Sequence, residues 1–515
     1  MTISPFLRSR ALLAALALCA GAGAAAADDK PACQYVLMAK TPLHYNGPSL
    51  EITMDGSIDG TPAQMLVDTG AFETMLSRTG TEKRGLSLRM TGETIQGVGG
   101  YSRLYSARVN EFRAGPAKSS KGWLPVIGDT GAAPAFDAIV GASFLLQTDL
   151  EIALADKEIK FFKPLGCDKA DLAYWDRNAI EIPFEFHRDR SRNPHFTIEV
   201  NGTKLDAIID SGSWTTSIDS SAAKRAGLRL DAPNVVRTAD GVGIGERHVA
   251  HYNAMVDTLK IGDETIRNAQ VSIMDTKGQL DVDVLLGADF LRAHRVLFAM
   301  GQKKLYISYV GGDPMGQRRT IEPWMQQEAD SGNPDAQMVL ASIYAAGKIV
   351  PKDLVKAAAW LEKAAALGHP RANLELGRKL MGEHRYADAA AHISGAVDKL
   401  PAERIGALWL YLARVHTGDP ALAKRELEAT FARSAERDWP APIADFYLGR
   451  LDAVALLEQA GKESRLAKAR TCQSNSFMAE WHAAQGDDTK ARSLMATVQA
   501  YCASPPPDAK PGGNT

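Results

Sequence analysis

Two five-residue stretches repeat one pattern 142 residues apart: Leu66-Val67-Asp68-Thr69-Gly70 and Ile208-Ile209-Asp210-Ser211-Gly212. Each puts a carboxylate at the end of an apolar run, followed by a hydroxyl and a glycine. Two carboxylates brought face to face cannot both ionise, so one stays charged and accepts a proton while the other keeps its own. Such a pair holds a water between a base and an acid, which is what amide hydrolysis needs when neither a metal nor a covalent intermediate takes part. The two groups titrate as a unit, so Asp68 and Asp210 are assigned together as candidate catalytic residues. Thr69 and Ser211 offer hydroxyls to brace the loops, and Gly70 and Gly212 let backbone N–H groups approach the carboxylates. A single Asp-Thr-Gly is a common turn sequence; its weight here comes from what surrounds both copies.

The surroundings repeat in order. At the same offset of 142, the hairpin-turn dipeptide Asp59-Gly60 matches Asn201-Gly202, and Gly85-Leu86 matches Gly227-Leu228 after a short helical stretch. Gly97-Val98-Gly99 matches Gly241-Val242-Gly243 at an offset of 144, and Ile139-Val140-Gly141-Ala142 matches Leu285-Leu286-Gly287-Ala288 at 146. Each copy ends in an apolar strand, around Ile159 and Leu305. Ordered matches with two small insertions describe a duplicated β-rich unit.

An apolar strand ending in Asp-Thr-Gly or Asp-Ser-Gly, then a glycine-rich hairpin, then two apolar residues and Gly, resembles the retropepsin-like aspartic proteases, over roughly residues 45–310. The resemblance is nearest to bacterial members of that clan, through Gly141-Ala142-Ser143-Phe144-Leu145 and Gly287-Ala288-Asp289-Phe290-Leu291. It implies an all-β, pseudo-two-fold pair of acid-protease barrels, with both aspartates supplied by one chain. It also implies that the glycine-rich segments are flaps over an extended peptide: Gly97, Gly99 and Gly100 with Tyr101 in one half, Gly241, Gly243 and Gly245 in the other. Substrate would add as a β-strand between flap and floor. No cofactor is implied. Two departures carry consequences. Ala71 follows the first Asp-Thr-Gly while Ser213 follows the second, and a hydroxyl there can donate to a carboxylate, so a mildly acidic optimum is expected. The Arg-Asp pair often found after the apolar-apolar-Gly element in viral members is missing from Ala142-Ser143 and Ala288-Asp289, so the lobes must be joined by other contacts.

Other chemistries are set aside. There is no Gly-x-Ser-x-Gly, no His-Glu-x-x-His and no phosphate-binding Gly-Lys-Ser/Thr. The glycines from Gly241 are followed by no helical pattern, which excludes a dinucleotide loop. His187 with His195, and His248 with His251, fall at no ligand spacing on a helix, so no metal site is expected. Lys plus Arg (59) nearly balance Asp plus Glu (61), and the net charge of −2 builds no broad positive field for nucleic acid.

Arg8 and Arg10, the apolar run Ala11–Leu18 and Ala25-Ala26-Ala27 before Asp28 read as a secretory signal over residues 1–27, with a lipid anchor at Cys19 a poorer fit behind bulky Leu18. No transmembrane span is expected in the mature chain. Cys33, Cys167, Cys472 and Cys502 then remain. Four cysteines allow three connectivities, and chain order favours Cys33–Cys167 and Cys472–Cys502; four buried thiols are the alternative.

Gly311, Gly312, Pro314 and Gly316 mark a linker, beyond which alanine and aromatic residues recur at helical spacing. Gly332-Asn333 is followed 36 residues later by Gly368-His369, in a pattern similar to the Sel-one-like repeat, a relative of the tetratricopeptide repeat. Looser units follow at Trp409–Ala413, Phe446–Gly449 and Gln485–Asp487. The expected organisation is therefore multidomain: signal peptide 1–27, protease lobes 28–168 and 169–310, linker 311–320, an all-α repeat solenoid over 321–503 and a disordered tail over 504–515. The solenoid would offer a concave face to a protein partner. With the signal, this places the expected protein in the periplasm of a Gram-negative bacterium, cleaving protein or peptide substrates. The competing readings are a catalytically silent peptide-binding protein and an envelope scaffold on the same fold.

Overall fold

The computed structural model describes residues 33–128, 134–187, 193–238, 240–241, 243–244, 249–276, 280–316, 320–400, 403–432 and 438–502. The expected signal peptide, Cys19, Gly245, His248 and the tail lie outside the described residues.

Each half of the duplication closes on itself. In lobe 1 an eight-stranded sheet runs from His44–Asn46 through Glu51–Ile58 and Thr61–Val67 to Leu88–Gly97, and Glu51–Ile58 also pairs with Gly100–Ala114, closing the sheet. Lobe 2 repeats this with seven strands, closed by pairing of Phe196–Val200 with His251–Ile261. The matched dipeptides make the matched turns: Asp59 and Gly60 have φ of 50° and 76°, Asn201 and Gly202 49° and 79°. Positive φ at both central residues gives the hairpin turn whose twist suits its strands, which is why Asn or Asp followed by Gly stands there.

The contacts that join the lobes in place of the missing Arg-Asp pair are now visible. Gln34–Pro42, Glu158–Leu165 and Asp149–Ala153 from the first half line up with His294–Ala299, Lys304–Tyr309 and Ile180–Pro183 from the second in one six-stranded sheet. At its middle Leu150 pairs with Phe298 and Ile152 with Val296, all fully buried. The closing strands around Ile159 and Leu305 are thus shared structure. Cys33 and Cys167 are joined by a disulfide at the edge of this sheet.

From Pro323 onward the described chain is helical. Asn333 caps Pro334–Ala346 by accepting from the N–H groups of Asp335 and Ala336, Asp353 caps Leu354–Ala366, and His369 caps Pro370–Gly382. The capped helices stack, and His369 reaches back one repeat to Asp335 at 2.9 Å. Met325, Ala329, Ala336 and Leu340 from the first helices complete the barrel core, whereas the helices beyond them enclose a core of their own. A second disulfide, Cys472–Cys502, ties the last two helices. Among the described residues no helix is long and apolar enough to cross a membrane. The architecture is the expected one: a β barrel pair followed by an all-α repeat region.

Candidate active site

The two repeated aspartates meet at the floor between the lobes. Asp68 ends the Thr61–Val67 strand and Asp210 ends the Thr203–Ile209 strand, each anchored by its own N–H to the carbonyl of Val140 or Leu286. Those carbonyls belong to the apolar-apolar-Gly strands Ala138–Val140 and Val284–Leu286, which run parallel to the Asp-bearing strands. Gly141 and Gly287 follow because a Cβ at either would lie 2.5 Å from the backbone of Glu73 or Thr215. The element therefore fixes each Asp loop from behind.

Around the carboxylates the hydrogen bonds obey the pseudo-two-fold axis. Asp68 Oδ1 accepts from Gly70 N at 3.0 Å and Ala71 N at 2.8 Å; Asp210 Oδ1 accepts from Gly212 N at 3.0 Å and Ser213 N at 3.1 Å. Each glycine also faces the opposite carboxylate: a Cβ on Gly70 would fall 2.3 Å from Asp210 Cγ, and one on Gly212 would fall 2.4 Å from Asp68 Cγ. Only hydrogen fits at those positions. Beneath them the hydroxyls cross between lobes. Thr69 Oγ1 donates to Ile209 O at 2.7 Å and accepts from Ser211 N at 3.1 Å, while Ser211 Oγ donates to Val67 O at 2.7 Å and accepts from Thr69 N at 3.1 Å.

Burial pushes both carboxyls above the usual range. For Asp210 the neighbouring Asp68 charge adds to burial and drives it well up; for Asp68 the N–H groups of Ala71 and Gly70 oppose part of the effect. Two carboxyls so placed resist ionising together. The expected part for Ser213 needs correcting. Its hydroxyl donates to Thr215 O at 3.0 Å, and Asp210 receives only its backbone N–H, as Asp68 does from Ala71. The Ala/Ser difference therefore does not reach the carboxylates.

A cleft of about 930 Å³ lies over the aspartates, lined by both of them and by Gly70, Gly212, Gly97 and Gly243. Leu88–Gly97 and Gly100–Ala114 form the first flap, closed where Gly97 pairs with Gly100. In the second, among the described residues, Gly241 is bridged to Val249. Gly99 N donates to Ile244 O at 2.9 Å, so the flap tips touch. The tips also exchange side chains: Ile244 packs with Leu66, Met75, Ile127 and Ile139 of lobe 1, and Val98 with Ile208, Met274 and Leu285 of lobe 2. Tyr101 faces solvent, 57 % exposed, and does not line the cleft.

Two further residues lie at the site, Asn193, which the sequence did not mark, and His251, which it set aside as a metal ligand. Asn193, buried, donates from Nδ2 to Thr69 O at 2.7 Å and Gly70 O at 3.2 Å, bracing the first Asp loop from lobe 2. His251 lines the cleft beneath Gly241, and burial lowers its basicity. Neither sits in a repeated motif, so no pattern in a single sequence marks them.

Comparison with known proteins agrees with this geometry. Residues 196–290 match the Aspartyl protease family, residues 54–147 the gag-polyprotein aspartyl protease family, and residues 334–369 the Sel1 repeat. Among curated proteins, the chain is 31 % identical over 135 residues to DNA damage-inducible protein 1 of Saccharomyces cerevisiae, covering 26 % of this chain and 29 % of that one. It is 32 % identical over 111 residues to UBA domain-containing protein Mud1 of Schizosaccharomyces pombe, covering 21 % and 31 %. The matches thus span less than a third of either relative's length. Two regions in tandem, residues 54–147 and 196–290, therefore match retropepsin-like aspartyl protease domains, with a Sel1 repeat match behind them.

Proposed function

We propose that the protein is an exported aspartic endopeptidase that hydrolyses protein or peptide substrates in the cell envelope, most simply the periplasm, and that its helical repeats dock a protein partner. The observation that carries this reading is the symmetric dyad: two half-buried carboxyls at the cleft floor, each fixed on one oxygen by two backbone N–H groups, with their loops cross-bonded beneath. In the working cycle the charged carboxylate takes a proton from the bridging water, and the water oxygen bonds to the scissile carbonyl carbon. The protonated carboxyl gives its proton to the carbonyl oxygen. On collapse the C–N bond breaks and the amine leaves protonated, and the pair again holds a single proton. Export rests on the charged, apolar and small-residue run before Asp28 and accords with two disulfides, which persist in oxidising compartments.

The apolar walls occupied by Ile244 and Val98 favour substrates with apolar side chains on both sides of the scissile bond, taken up as the flaps part. The test is digestion of a diverse peptide library by residues 28–515 between about pH 3 and 8, beside Asp210→Asn. The reading expects cleavage by the wild type alone, between apolar residues. Folded wild type that cuts nothing at any pH would favour the silent peptide-binding alternative instead.

A further inference from the structure

On the wall of lobe 2, three side chains converge for which the dyad has no use. Glu185 bridges to His195, and two residues from that bridge His187 stacks on His195, ring centroids 3.7 Å apart and planes 23° from parallel. Both rings turn Nδ1 toward one oxygen of Asp206, on the neighbouring strand Thr203–Ile209. Asp206 Oδ2 lies 2.8 Å from His195 Nδ1 and 3.8 Å from His187 Nδ1. One ligand atom from each residue lies within 4.8 Å of the other two. A hydrogen bond accounts for His195 alone; at 3.8 Å the His187 contact is too long to be one.

The duplication supplies an internal control. In lobe 1 His44 pairs with Thr53 as Glu185 pairs with His195, and Met54 pairs with Met65 as Phe196 pairs with Ala207. By that register His187, His195 and Asp206 stand where lobe 1 has Asn46, Thr53 and Gln64. Those three are neutral and satisfy one another: Asn46 Nδ2 donates to Thr53 Oγ1 at 2.5 Å and to Gln64 Oε1 at 3.1 Å, and Thr53 Oγ1 donates to Gln64 Oε1 at 3.2 Å. The fold needs only a neutral polar trio at this place. Lobe 2 has two imidazoles and a carboxylate instead.

We propose that His187, His195 and Asp206 form a site for a divalent transition-metal ion of the zinc type. Two imidazole nitrogens and one carboxylate oxygen, with water in a fourth position, are a donor set that Zn²⁺ accepts, at bonds of about 2.0–2.2 Å that leave ligand atoms roughly 3.3 Å apart. The observed 2.8 and 3.8 Å bracket that spacing. Hard cations, which prefer all-oxygen shells, fit this set poorly. His195 is buried and His187 exposed, so the ion would enter from solvent and bind at the cleft wall that His195 lines. His195 is also two residues from Asn193, whose amide braces the Asp68 loop, so metal there would stiffen the same segment.

The experiment uses the full disulfide-bonded chain, stripped with chelator and titrated with Zn²⁺, with Ca²⁺ and Mg²⁺ as counter-probes. One equivalent of Zn²⁺ is expected to bind at micromolar affinity or better and raise Tm, and Co²⁺ is expected to show visible ligand-field bands. Asp206→Asn and His187→Ala should each weaken binding at least about 100-fold. To separate ligand loss from misfolding, the triple variant His187→Asn, His195→Thr, Asp206→Gln grafts the lobe 1 trio, and should fold yet lose both binding and the Tm rise. Absence of saturable Zn²⁺ binding to the wild type, Zn²⁺ binding kept by the triple variant, or equal affinity for Ca²⁺ would each overturn the proposal.

Discussion

The two lobes agree where they face one another and differ where they do not. Their Asp loops superpose bond for bond, from the two N–H groups on each Oδ1 to the exchanged hydroxyls of Thr69 and Ser211. Their flap segments do not: the first is carried on the long strand Gly100–Ala114, while among the described residues the second holds only the bridge of Gly241 to Val249 after Val235–Arg237. Beside their cleft-facing walls they carry a neutral trio in one case and a His-His-Asp set in the other. The difference follows from geometry. Each Asp loop touches its twin within hydrogen-bonding distance, so a change in either disturbs both carboxylates. A flap meets its partner near the tip, and each polar trio is bonded within its own lobe, so each is free to differ.

The largest expected effect tests the symmetry directly. Asp68→Asn and Asp210→Asn should each lower kcat by about 10³-fold or more, the scale of losing a general acid or base, as measured on a cleaved peptide. Wild-type kcat should follow a bell in pH. It should rise as pH climbs through the lower macroscopic pKa and fall through the upper, with both limbs displaced upward because burial raises both groups. The same burial predicts a stability gain in Asp210→Asn. A carboxyl with a raised folded pKa makes the folded state bind more protons than the unfolded one, so stability falls as pH rises above the unfolded value. The Asn variant is spared that loss and should show the higher Tm at pH 7.

Next come Gly70→Ala and Gly212→Ala, in which a methyl would lie 2.3 or 2.4 Å from the opposite carboxylate. Displacement of the dyad should cost about 100-fold in kcat, and near-equally in the two lobes. A loss confined to one of them would break the comparison. Thr69→Val and Ser211→Ala each strand buried backbone groups of the other lobe. They should lower unfolding free energy by about 1–3 kcal/mol in denaturant titrations. Smallest of all, Ser213→Ala should leave both limbs of the pH profile in place, since the Ser213 hydroxyl bonds Thr215 O; a shifted limb would restore a direct role for it.

Much of the site was legible in the residues themselves. The repeat at offsets of 142 to 146 places both aspartates, both supporting glycines and both apolar-apolar-Gly strands, because a duplicated unit keeps its strand order. Cys33–Cys167 and Cys472–Cys502 follow from chain order. Other features escaped for reasons that can be named. Tyr101 stands beside the flap glycines, but strand alternation turns it outward, and sequence does not say which parity faces the cleft. Ser213 gives its hydroxyl to Thr215 O, a backbone acceptor that the sequence does not display. His187, His195 and Asp206 carry no motif spacing because strand pairing, rather than a helical turn, brings them together.

The sequence by itself determined the local matter: turns where Asp-Gly and Asn-Gly stand, strands that end in aspartate, helices opened by Asn333, Asp353 and His369. These depend on residues adjacent along the chain, whose chemistry is read directly. The tertiary structure alone decided which groups meet across distance. It set the crossed hydroxyls, the amide of Asn193 on the Asp68 loop, the flap tips bonded through Gly99 and Ile244, and the six-stranded sheet that joins the lobes. Contacts of that kind are chosen by packing two closed barrels against each other, and packing is a property of surfaces that exist only once each barrel has formed.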